Sequence, residues 1–221
     1  MSRKPCDATA PTRSPASSVT DRIIPKVADG APINGDLVAV IDESSPGNTA
    51  GGITYVVAIA ALFEPTRAAA ELSRLFTSDR RRPFHWEREG TVARTRIIEI
   101  AAEIGLVATA HYSHVGRRGQ ARARQAMLRR MVVDAASEGV DHLVIEASDA
   151  ATVGRDRLVL LQTFEPAGGV PFTYDWRSKS ERLLWLADAI AGAVGEYVVG
   201  KDPTWWEMLD DLGIVALRPH P

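Results

Sequence analysis

Asp188 is the lone charged residue in the apolar stretch Leu183 to Val194, LLWLADAIAGAV. A helix that is apolar on nearly all sides is normally buried. An ionised carboxylate in such a helix needs a cation, a proton or a metal beside it. Asp42 closes a second apolar run, Leu37-Val38-Ala39-Val40-Ile41, and Glu146 closes a third, His142-Leu143-Val144-Ile145. Carboxylates drawn together from separate elements repel and raise one another's pKa unless a cation sits among them. Hard oxygen donors of this kind select Mg²⁺ or Mn²⁺. Two such ions, about 3.5–4 Å apart, would activate water and stabilise the leaving oxygen in phosphodiester cleavage.

Each of these residues also has a plainer use. Asp42-Glu43-Ser44 suits a strand-end turn. Successive strand side chains point to opposite faces, so Asp42 and Glu43 cannot serve one site while the strand continues, and Asp42 ranks first. Asp149, three residues after Glu146, is at least as well suited to capping the next helix as to binding an ion. Glu146 is balanced between a ligand and such a strand-end role, at the carboxyl edge where α/β proteins build sites. For Asp188 the alternative is a structural pair with an arginine or a backbone amide. In the polar and aromatic piece Arg80 to Arg88, Glu87 is a further metal candidate. His85 suits proton transfer or substrate contact, against a surface turn with a docked aromatic. Lys179 reads as a solvated lysine at a helix start, with charge neutralisation near Asp188 as the other use. The arginines 80–82, 117–118, 122, 124 and 129–130 are placed to hold phosphates or, more ordinarily, to form solvated faces.

The elements that must position these groups follow from periodicity. Leu37 to Ile41 and Ile53 to Phe63 read as two strands of a hairpin across the turn at Ser44 to Asn48. Pro65 opens a helix that runs to Phe76. Pro83 to Trp86 reads as a short extended piece. Thr91 to Ile104 is helical and ends at Gly105, and Gln120 to Glu138 is a basic amphipathic helix ending at Gly139. Strands are expected at Leu106 to Val115, His142 to Ile145 and Val170 to Tyr174, with a possible edge strand at Ile214 to Leu217. Helices are expected at Arg155 to Phe164, Ser180 to Val199 and Trp205 to Leu212, with Ser178 or Ser180 capping the apolar one. A hairpin followed by alternating helices and strands gives an α/β class: a mixed sheet flanked by helices, close to the ribonuclease H architecture. Met1 to about Gly35, rich in Ser, Thr, Pro, Ala and Gly, reads as a flexible N-terminal arm, and 36–221 as one domain.

Composition narrows the function classes. The chain has 221 residues, 45% hydrophobic and 24% charged, which suits one ordinary globular domain. A net charge of −2 and a pI near 6.2 do not mark a nucleic-acid binder globally, although clustered arginines act locally. One cysteine, Cys6, excludes an intramolecular disulfide and fits a reducing compartment. No zinc-ligand spacing, phosphate loop, Ser-His-Asp order or nucleophile elbow occurs. Met1 to Asp21 has no apolar core of a secretory signal, and the longest apolar runs fall short of the roughly 20 residues a membrane span needs. A soluble cytoplasmic protein without membrane contact is expected.

Asp42-Glu43-Ser44 after an apolar strand, with a glycine-bearing turn and a second strand following, resembles the opening of the family designated domain of unknown function 3800. Ser180 to Gly192, with its Leu-Ala-Asp helix running into Ala-Gly, resembles that family's closing signature, and His85-Trp86 a middle motif. The resemblance covers roughly 36 to 200. It departs from the pattern at Ser45, where glycine is usual, at Trp185, where glutamine is common, and at Glu146, where aspartate is more usual. It implies a ribonuclease H-like fold with Asp42 and Asp188 as metal ligands and Glu43 as a possible one. The expectation is a Mg²⁺- or Mn²⁺-dependent nuclease acting on RNA or DNA, with Asp42, Glu146 and Asp188 holding metal and Glu43, Glu87 and Asp149 as lesser catalytic candidates. The alternative is a catalytically inactive ribonuclease H-like domain that binds nucleic acid or protein; a third reading is a metal-dependent hydrolase of small phosphoesters.

Overall fold

Val38–Ser44 (β1) occupies the middle of a six-stranded sheet because it is apolar toward both faces. It pairs antiparallel with Ile53–Leu62 (β2) and parallel with His142–Glu146 (β4). A strand buried on both sides reads as a continuous apolar run, which is the pattern of Val38-Ala39-Val40-Ile41. Val107–Val115 (β3) continues the antiparallel meander, Thr173–Arg177 (β5) lies parallel to β4, and Val215–Pro219 (β6) lies parallel to β3 at the far edge. The order is β5-β4-β1-β2-β3-β6. This computed structural model describes residues 36–47, 53–75, 82–116 and 118–220. The expected arm, Asn48, Phe76, Arg80, Arg81 and Arg117 lie outside the described residues.

Helices cover both faces. Pro65–Leu75 (α1), Thr91–Glu103 (α2), Leu184–Val198 (α5) and Thr204–Asp211 (α6) pack with Val38, Val40, Val56, Ala58 and Val144. Gln120–Ser137 (α3) and Ala150–Phe164 (α4) pack on the other face with Ala39, Ile41, Tyr55, Val57, Leu143 and Ile145. The mixed sheet flanked by helices expected from the sequence is thus the architecture observed. α5 is its centre: every residue from Leu184 to Glu196 is buried, because sheet lies on one side and α2 and α6 on the other.

Several boundaries differ from expectation for local reasons. α5 begins at Leu184, not Ser180, and neither serine caps it; Ser178 and Ser180 contact each other in the preceding turns. α4 begins at Ala150 because Asp149 accepts from the Ala151 and Thr152 backbone N–H groups, at 2.9 Å each. Val170 is not in a strand, and β5 starts at Thr173. Pro83 to Trp86 forms no strand; it leads into a one-turn 3₁₀ helix, Trp86–Arg88.

One glycine sets how closely that turn approaches. A Cβ on Gly192 would lie 2.2 Å from Cγ of Trp86, so the bare backbone of α5 receives the indole. Trp86 is then fixed from three further sides: its N–H donates to Asp188 Oδ2 at 2.7 Å, Arg94 donates to its carbonyl at 3.1 and 2.9 Å, and Trp205 meets its ring edge-on at 5.6 Å.

Candidate functional site

The side-chain alternation of β1 decides what can meet. Val38, Val40 and Asp42 face α5, while Ala39, Ile41 and Glu43 face α3 and α4. β4 repeats the pattern: Val144, and with it Glu146, is on the α5 face. Asp188 descends onto this face from the second turn of α5. Asp42 is 1% exposed and Asp188 4%, so the two lie deep, with Glu146 at the partly open strand end.

The three carboxylates surround one cation. Lys179 Nζ lies 2.6 Å from Asp188 Oδ1, 3.3 Å from Asp42 Oδ2 and 3.7 Å from Glu146 Oε1. The lysine is therefore not the solvated residue its sequence setting implied. Trp185 accounts for this: its Nε1–H donates to the Lys179 carbonyl at 2.8 Å, tying the turn before α5 to the helix. The bulky ring of Trp185 is thus the tether of the lysine.

The electrostatics follow from burial. The Asp42 carboxyl is held well above the usual carboxylate range, first by desolvation, then by the neighbouring Glu146 carboxyl and by Asp188; Lys179 opposes this. Burial alone would lower the Lys179 pKa, but Asp42, Asp188 and Glu146 raise it overall. Asp42 Oδ1 accepts from the Glu43 backbone N–H at 2.6 Å, while the buried Oδ2 accepts no hydrogen bond.

The remaining candidates go elsewhere. Glu43 is ion-paired with Arg124 and accepts from the Tyr55 hydroxyl on the opposite face of the sheet. Arg124 also grips the buried Asp156, with Nη2–Oδ2 at 2.8 Å and Nε at 3.1 Å from both oxygens. These groups line a cleft of about 360 Å³ with Gln120, Gln125, Thr152 and Arg155. The Tyr55 hydroxyl is raised by burial, then by Asp156, Asp42 and Glu146. Arg124, one of the arginines expected to hold phosphate, is thus turned inward. Arg118, Arg122 and Arg129 are exposed, and Arg130 pairs with Asp134. Asp149 is the cap of α4, and Glu87 is exposed on the one-turn helix. His85 is half-buried, with no hydrogen bond at Nδ1.

A hard divalent ion is tested against this donor set by two observations. Three oxygen donors come from three elements, and one of them, Asp42 Oδ2, is buried without a hydrogen bond. This is the donor chemistry such an ion takes. An ammonium lies among them, however, and among the described residues no group of three or more His, Cys, Asp or Glu side chains is arranged to hold a metal as it stands.

No protein-family model matches the sequence, and no curated protein matches it. Among solved structures, the chain is similar to one from the PCNA:RNase HII complex of Archaeoglobus fulgidus, at 15% identity and a TM-score of 0.49, over 79% of this chain and 87% of that one. It is similar to ribonuclease H2 from Pyrococcus horikoshii OT3, at 15% identity and a TM-score of 0.49, over 75% and 74%. It is also similar to a mutant form of Bst-RNase HIII, at 16% identity and a TM-score of 0.45, over 74% of this chain and 53% of that one. The chain spans about half the length of that last protein. These likenesses concern the fold alone. Among the described residues no helix is long and apolar enough to cross a membrane.

Proposed function

We propose that this chain is a divalent-metal-dependent nuclease that hydrolyses phosphodiester bonds of RNA or DNA. The observation that carries the reading is the meeting of Asp42, Glu146 and Asp188, from β1, β4 and α5, around a single cation position. Asp42, Glu146 and Asp188 would hold Mg²⁺ or Mn²⁺, which when bound supplies Lewis acidity and an activated water. The chain's own groups prepare the place. The Trp86 N–H fixes one oxygen of Asp188, leaving the other for the cradle. Arg94 holds the Trp86 carbonyl and pairs with the buried Glu196, at 3.1 Å, so that the donor cannot swing away. Exposed Arg118, Arg122 and Arg129 are suited to the phosphate backbone, which positions a substrate without reading its sequence.

The test is cleavage of labelled RNA and DNA oligonucleotides with Mn²⁺ or Mg²⁺ by the full chain and by Asp42→Asn, Glu146→Gln and Asp188→Asn. Loss of cleavage in all three, with melting temperature kept, supports the assignment. Full activity in Asp188→Asn removes it, and faster turnover of an aryl phosphate than of oligonucleotides redirects it to small phosphoesters.

One observation favours a second reading, a catalytically inactive domain of the same fold that binds nucleic acid or protein. Lys179 already places a cation among the three carboxylates. This reading expects nucleic-acid or protein binding that survives Asp42→Asn and Asp188→Asn, and no divalent-dependent cleavage.

A further inference from the structure

We propose that Lys179 is a built-in counter-cation of the cradle and that a divalent ion enters only by displacing its ammonium. The inference rests on the metal-binding reading above and names how that site is kept closed. Nζ lies within 4 Å of carboxylate oxygens from three separate elements, and its side chain is only 17% exposed. An ammonium and a divalent ion among the same three carboxylates repel, and both need the same oxygens.

The surroundings allow exchange rather than collapse. The Lys179 backbone is pinned through its carbonyl to Trp185, whereas its four-carbon stem is flexible. Asp188 stays in position when the lysine leaves, because its second oxygen is held by the Trp86 N–H. Asp42 Oδ2 gains most from a change of cation. It is buried 3.3 Å from Nζ yet accepts no hydrogen bond, so the lysine satisfies Asp188 and leaves Asp42 incompletely served. A hard ion bound by all three oxygens would satisfy both.

The experiment titrates the full chain with Mn²⁺ alone, without nucleic acid, and reads free Mn²⁺ by electron paramagnetic resonance. Melting curves with and without Mn²⁺ are run in parallel. Lys179→Met, which keeps the stem and removes the charge, is expected to bind Mn²⁺ at least tenfold more tightly than the unaltered chain and to gain more melting temperature from it. Lys179→Arg, which keeps the charge, is expected to bind no more tightly than the unaltered chain. Asp188→Asn added to Lys179→Met is expected to remove the gain. Equal or weaker Mn²⁺ binding by Lys179→Met overturns the displacement and leaves the metal site standing. Absence of Mn²⁺ binding in every form overturns both. If Lys179→Met does not fold, Lys179→Gln takes its place; failure of both to fold even with Mn²⁺ identifies a structural lysine that no ion replaces, and the proposal falls.

Discussion

Replacing Gly192 with alanine tests the packing that fixes Asp188 without touching any ionisable group. The added Cβ would lie 2.2, 2.4 and 2.7 Å from Cγ, Cδ1 and Cβ of Trp86. Comfortable carbon contacts are about 3.5–4.0 Å, so the indole must retreat by more than roughly 1 Å. Its N–H on Asp188, its carbonyl under Arg94 and its ring against Trp205 oppose that retreat. Overpacking of a tight core costs about 1–3 kcal/mol, and the restraint on Trp86 puts this case near the upper end. Alanine is better than glycine inside a helix by about 1 kcal/mol, which leaves a net loss of about 2 kcal/mol. For a chain of this size that lowers the melting temperature by roughly 4–8 °C. Gly154, in α4, is the internal control: it is exposed, and a Cβ added there would meet nothing within 4 Å. Gly154→Ala therefore keeps only the helical gain and should raise the melting temperature by roughly 2–4 °C. Both variants are measured by calorimetry in one buffer. If Gly192→Ala melts as high as Gly154→Ala, Trp86 does not rest on the backbone of α5, and Asp188 is not anchored through it.

Arg124→Met leaves Asp156 buried and unpaired and should cost about 3–5 kcal/mol in urea denaturation, most of it recovered by adding Asp156→Leu. Asp149→Ala should lower the melting temperature while leaving Mn²⁺ binding unchanged, as suits a helix cap; a loss of Mn²⁺ binding would refute that role. Burial lowers the His111 pKa from 6.5 to about 4, so between those values the unfolded chain takes up a proton that the folded chain refuses. Stability should therefore fall as pH drops from about 6.5 to about 4, and His111→Phe should flatten that part of a stability–pH profile; an unchanged slope would count against the assignment.

What the sequence made legible was whatever stood out against an apolar background. Asp188 interrupts an apolar run and Asp42 closes one, and the two-residue period of β1 is enough by itself to separate Asp42 from Glu43. Lys179 had no such background. It sits among Asp175, Arg177, Ser178 and Ser180, where another polar residue carries no signal, and its burial depends on a contact with Trp185 across six residues of chain. The Arg124–Asp156 pair was hidden for a similar reason: its partners lie on two helices with other charged residues close by, where one more charge carries no signal. The late start of α5 has the same origin, because the turns at 178–183 that delay it also deliver the lysine.

Adjacent residues of β1 send opposite-facing carboxylates to two different cations, Asp42 toward Lys179 and Glu43 toward Arg124. The apolar half of the strand, Val38 to Ile41, would tolerate a slip by one position, since both of its sides meet oil. The charged half would not. Sliding one way sets Ile41 against the ammonium; sliding the other way sets Ser44 against the guanidinium. Either error takes one carboxylate away from a buried cation, so the charged end of the central strand, more than its greasy middle, holds its pairing frame.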